Sequence, residues 1–147
     1  MISLPNPTKT LYTDLSSDND MTATATRQEF SQFCAERDAQ NTIYLNIVKY
    51  GMMLCDALQH NYQQYGGTQN YSFSLESSGR KYHKIFMHID GVRSSIHCFI
   101  DKKTGEVYKP ASLKAPAKGV RFNLLLISDR EWVLGNCDWA GGYLYRR

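Results

Sequence analysis

KYHKIFMHIDGVRSSIHCFIDKKTGEVYKP, residues 81–110, is the stretch on which the fold turns. Asp90-Gly91 stands between Ile89 and Val92, and Asp-Gly between β-forming residues is the strongest short hairpin signal a sequence can offer. Lys102-Lys103-Thr104-Gly105 marks a second turn, ending in the glycine that a left-handed position usually requires. The stretch reads as three antiparallel strands. A two-residue first loop sets the pairs 89:92, 87:94, 85:96, 83:98 and 81:100, and a four-residue second loop sets 101:106, 100:107 and 99:108. Side chains alternate between faces along a strand. One face then carries Ile85, Met87, Ile89, Val92, Ile96, Cys98, Ile100 and Val107, which is a core. The other carries Arg80, Tyr82, Lys84, Phe86, His88, Arg93, His97, Phe99 and Tyr108, which is basic and aromatic.

Outward from this ribbon, Tyr71, Phe73 and Leu75 alternate with Ser and Glu, which predicts a further strand over 70–76, turned into the ribbon by Ser77-Ser78-Gly79. Upstream, Thr26-x-x-Glu29 is a capping-box pattern directly before Phe30 and Phe33. Apolar residues at 30, 33, 34, 44, 47, 48, 51, 55, 58 and 62 keep one helical face at about 100° per residue. The polar waist 36–42 admits two readings: helices over 27–39 and 42–64, or one long helix. Gly66-Gly67 closes the run. Residues 1–25, rich in Ser, Thr, Asp and Asn with few apolar anchors, read as a flexible N-terminal arm, leaving 26–147 as a single domain.

Downstream, Pro110 and Pro116 block a regular element, so 110–126 reads as an irregular surface loop with lysines at 114 and 118 before Arg121. Ser128-x-x-Glu131 opens a short helix through about Leu134. The C-terminal stretch from Cys137 adds an edge strand or folds over the sheet. The expected fold is α+β: an antiparallel meander of about four strands, a long N-terminal helical segment on one face, and a short C-terminal helix at the other face or edge.

At 147 residues the chain can bury a core without staples. Its mean hydropathy of −0.46 and longest apolar run, Leu124 to Ile127, exclude a helical membrane span. The first residues lack the basic and apolar regions of a signal peptide. The cysteines at 34, 55, 98 and 137 lie far apart without a C-x-x-C, a pattern of free thiols rather than a disulfide framework.

Charge is segregated. Residues 79–122 hold ten Lys/Arg against three Asp/Glu, a net +7, whereas residues 1–78 hold four against eight. Such clustering favours a phosphate-bearing or otherwise acidic partner, beside the plainer reading of a solvated basic face. In the register above, Tyr82, Phe99 and Tyr108 lie side by side across three strands, a platform on which bases stack while cations hold the backbone. The candidate nucleic-acid-binding residues are therefore Tyr82, Lys84, Phe99, Lys102, Lys103, Tyr108, Lys109, Lys114, Lys118 and Arg121. The competing reading buries the rings beneath Trp132, Trp139 and Tyr143 as a second small core.

Catalytic patterns are absent. His83 and Cys98 fall opposite each other, but on the core face and without an orienting carboxylate. A zinc site from His83, His88, His97 and Cys98 fails because the four divide between two faces. No glycine-rich phosphate loop or closely spaced carboxylate pair occurs. The expectation is a non-enzyme with no metal and no cofactor.

DKKTGEVYKPASLKAPAKGVRFNLL, together with DWAGGYLY near the C-terminus, resembles a group of uncharacterised small proteins of tailed bacteriophages over residues 97–147. The resemblance implies a viral product in the host bacterial cytoplasm or the virion, and it transfers no catalytic or ligand residue. The expected function is a phage accessory protein that binds single-stranded DNA or RNA, or another acidic partner. The alternatives are a virion structural or capsid-associated protein and an inhibitor of a host protein. A homo-oligomer fits each of these.

Overall fold

The computed structural model describes residues 20–145, with side chains from Arg27 onward except Gln28. A 46-residue helix α1 (Asp20–Tyr65) is followed by strands β1 (Tyr71–Glu76), β2 (Tyr82–Ile89), β3 (Val92–Asp101), β4 (Glu106–Tyr108) and β5 (Phe122–Asn123). Helix α2 (Ile127–Asn136) and a 3-10 turn (Gly142–Tyr145) complete the described chain. Two compact units meet at Gln40/Asn41. In the first, the described residues are the N-terminal part of α1.

The one-helix reading of α1 is the one that holds. Glu36, Arg37, Ala39 and Gln40 are good helix formers, so the waist interrupts the apolar stripe without interrupting the backbone. Thr26 therefore sits inside the helix rather than capping it. Residues 20–25, expected in the arm, belong to α1, while 1–19 of that arm lie outside the described residues.

In the second unit the sheet is an antiparallel meander of five strands in the order β1-β2-β3-β4-β5. Asp90 and Gly91 form the β2–β3 turn with φ of 53° and 78°, the pair of left-handed positions a two-residue hairpin demands. At the β3–β4 turn the Asp101 carboxylate accepts from the backbone N–H groups of Lys103 and Thr104, and Gly105 takes φ 76°. The fifth strand was not expected. Phe122 and Asn123 pair with Val107 and Glu106, two residues too few to show alternation after a proline-rich loop.

Ile47, Leu54 and Leu58 of α1 are fully buried in one cluster with Ile85, Cys98, Ile100 and Val107. A Cβ at Gly51 would stand 3.2 Å from Leu75 Cδ1 and 3.4 Å from Ile100 Cδ1, so glycine lets the helix approach the sheet closely there. Five strands span roughly 19 Å at about 4.8 Å per spacing, and one helix covers only about 10 Å. The remainder is filled by the C-terminal segment. Val133, Cys137, Tyr143 and Leu144 join the same cluster, so this segment shares the α1 face instead of taking the opposite one, while α2 packs by the edge strand β5 as the edge alternative expected.

Helix α2 also starts differently. Its N-cap is Leu126, without a side-chain cap, so the Ser128/Glu131 capping box does not form. Asp129 instead accepts from the Asn123 N–H at 2.9 Å, tying the first turn to β5.

Candidate nucleic-acid interface

Pairing between β2 and β3 begins as the turn dictates, Ile89 with Val92 and His88 with Arg93. It then slips twice. Met87 faces Ser95, Phe86 faces Ile96, and Ile85 faces Cys98, so β3 carries two extra residues in two bulges. Because the slips sum to two, the inner face is restored: Cys98, Ile100 and Val107 are buried as expected. Val92, expected in the core, is 68% exposed at the hairpin end.

The shift also changes which residues meet on the outer face. Lys84, not Tyr82, stands opposite Phe99, with its ammonium 5.4 Å from the ring centroid. That ammonium donates to the Leu113 carbonyl at 2.9 Å, roofing the ring with the basic loop. Tyr82 reaches Phe99 diagonally, edge-on at 5.6 Å, and Tyr108 at 5.9 Å. Phe99 opposite Tyr108 is as expected. The three rings are thus together, but Phe99 is fully buried and offers no face to a base. Trp132, Trp139 and Tyr143 do not cover them: Trp132 stacks on Phe122, Trp139 packs on Tyr62 and Tyr71, and Tyr143 stacks on His97.

Cations over rings recur along this surface. Lys81 lies over Tyr82, Arg93 over Phe86 at 4.0 Å while it also pairs with Glu76, and Lys109 over Tyr145 at 4.4 Å. Tyr108 donates to Glu106 at 3.0 Å. Burial, and then that carboxylate, push its phenol up to about 12.

The expected phosphate contacts divide by availability. Lys103, Lys114 and Lys118 are exposed, and so are Arg80 and Lys81, which were not among the expected contacts. Lys109 is half-buried. Lys102 is committed to the carbonyls of Ser77 and Gly79, so it holds the β1–β2 turn. Arg121 is half-buried, and its backbone N–H donates to the Val107 carbonyl at 2.7 Å. The loop itself folds back in a defined hairpin: Ala117 N–H donates to the Lys109 carbonyl, and Pro110 bridges Pro116.

His83, His88 and His97 have local hydrogen-bond partners. His83 stands opposite Ile100 rather than Cys98, because of the double slip. It shares a 2.7 Å hydrogen bond with Ser77 Oγ, and burial, helped by Lys102, lowers it to about 4. His88 meets Ser74, and His97 Nε2 meets Tyr143 Oη at 2.8 Å. Burial holds the Cys98 thiol well above its ordinary range, which disfavours the nucleophilic thiolate. Among the described residues no group of three or more His, Cys, Asp or Glu is placed to hold a metal ion, and no helix is long and apolar enough to cross a membrane.

One family model matches this chain, the family of unknown function DUF7717, over residues 30–146. The chain belongs to DUF7717. The match takes in the whole sheet, the basic loop and the C-terminal segment, so all the surfaces above lie within the DUF7717 region. No curated protein and no solved structure matches the chain.

Proposed function

We propose that this DUF7717 protein is a non-enzymatic accessory protein that binds single-stranded nucleic acid, or another extended acidic partner, along the outer edge of its sheet. The observation that carries the reading is charge segregation: net +7 within residues 79–122, with Arg80, Lys81, Lys103, Lys114 and Lys118 exposed. Half-buried Tyr82 and Tyr108, with Lys84 and Lys109 beside them, supply the amphipathic part of the surface. Phe99 supports these rings from below instead of stacking on a base. The tailed-bacteriophage origin implied by the sequence resemblance belongs to this proposal.

Fluorescence anisotropy with a labelled single-stranded oligonucleotide tests it. Affinity is expected to fall as salt rises, with each phosphate contact contributing about 0.7 to the log–log slope. Replacing Lys103, Lys114 and Lys118 together by Ala is expected to flatten the slope by about 2. No binding at low salt, or an unchanged slope in the triple variant, would overturn the reading.

A second reading, a virion structural or capsid-associated protein, is favoured by apolar side chains of α1 left in the open, Leu45 at 64% and Met52 at 56% exposure. Mass spectrometry of purified virions decides between the two.

A further inference from the structure

Between the β2–β3 hairpin and the C-terminal segment lies a cleft of about 270 Å³. Apolar Ile96 and Leu144 and aromatic Trp139 and Tyr145 are among the residues that line it. Trp139 is fixed from behind by Tyr62 and Tyr71, and its backbone N–H donates to Asn61 Oδ1 at 3.0 Å. Tyr145 is 67% exposed at the rim, and Lys109 sets its ammonium over that ring. Ser95 and His97 supply polar atoms. His97 Nε2 is taken by Tyr143, whereas Nδ1 has no hydrogen-bond partner among the described residues. The His97 ring lines the cleft, and its Nδ1 is a donor or an acceptor according to which way the Tyr143 proton points.

Ligand pockets for drug-sized molecules run to about 300–1,000 Å³. A space just below that range suits one flat ring system. Aromatic walls, a single cation at the rim and one or two hydrogen-bonding atoms are the means by which an unstacked base is held and read. We propose that this cleft is a nucleobase pocket: one base enters against Trp139 and Tyr145, with its phosphate at Lys109 and its polar edge toward His97 Nδ1 and Ser95. The proposal rests on the nucleic-acid reading and deepens it. The basic loop tracks the strand, and the cleft captures a single base from it.

Mononucleotides separate the two claims. Amide shifts of the ¹⁵N-labelled full chain are followed with AMP, CMP, GMP, UMP and inorganic phosphate, in parallel with oligonucleotide anisotropy. At least one mononucleotide is expected to shift Ser95, His97 and Gly141 saturably where phosphate does not. Ser95→Phe, which fills the cleft from an exposed strand position, and Lys109→Gln are each expected to weaken mononucleotide binding by about tenfold or more. Lys114→Ala with Lys118→Ala is expected to weaken only the oligonucleotide. Thermal melts verify folding, and if Ser95→Phe unfolds, Lys109→Gln and the wild-type shifts decide. Oligonucleotide binding without mononucleotide shifts, and unaffected by either cleft variant, overturns the pocket and leaves the surface reading standing. Equal shifts with phosphate alone also overturn the pocket. Mononucleotide binding without oligonucleotide binding supports the pocket and overturns the surface reading.

Discussion

Phe99 lies beneath the Lys84 ammonium and against the Tyr82 ring edge, and no part of it reaches solvent. A residue in that position acts through stability. Phe99→Ala is expected to cost about 3–5 kcal/mol in urea denaturation. Tyr82→Ala, at a half-buried site, is expected to cost less. The two buried imidazoles make a second prediction at this scale. Burial lowers His83 and His97 from 6.5 to about 4, with Lys102 adding to the shift at His83 and Asp138 opposing it at His97. Since the folded values lie below the unfolded one, the unfolded chain binds more protons between the two. The contribution of these groups is complete above about pH 6.5 and is lost as the pH falls toward 4. Urea midpoints at pH 7 and pH 5 are expected to differ, with the lower one at pH 5. Replacing both histidines by Gln should narrow the gap, and an unchanged gap would assign the effect elsewhere.

At the scale of elements, turns were legible and strand irregularities were not. Asp90-Gly91 announces its hairpin because few residues tolerate two successive left-handed positions. Gly91→Ala is expected to destabilise by about 1–2 kcal/mol, purely through backbone conformation, because a Cβ there meets nothing within 4 Å. A thermal melt showing no loss would remove that account of the turn. By contrast, nothing in VRSSIHCFI distinguishes an extra residue from a paired one, so the bulges were invisible and Lys84 could not be placed over Phe99. The two-residue strand β5 was equally silent, since it depends on pairing with Val107 and Glu106, and so was the start of α2, which Asp129 ties to the Asn123 N–H instead of a capping side chain. The cleft was hidden for the same reason. His97, Lys109 and Trp139 stand apart in sequence, and only folding of the C-terminal segment onto the α1 side brings them together.

For the whole molecule, the placement of the thiols gives a direct check. Cys55, Cys98 and Cys137 come from α1, β3 and the end of α2 into one buried cluster. Burial pushes Cys55 up to about 12 and Cys137 up to about 11, while Cys34 is half-exposed in the other unit. Cys34, which the sequence places on the same apolar helical face as Cys55, is not part of this cluster. Thiol labelling of the native protein is expected to modify one cysteine quickly and three only after unfolding; fast labelling of two or more would contradict the packing described. The α+β class and the antiparallel meander were readable from alternation and turn chemistry. The paired bulges of β3 also bear on how such a chain can change length through descent. Losing one codon between Arg93 and Cys98 would erase a single bulge and leave the pairs on either side of it in register, whereas the same loss in a regular strand turns one side of it inside out. Deletions of a single residue should therefore survive in this segment of β3 and not in the regular strands beside it.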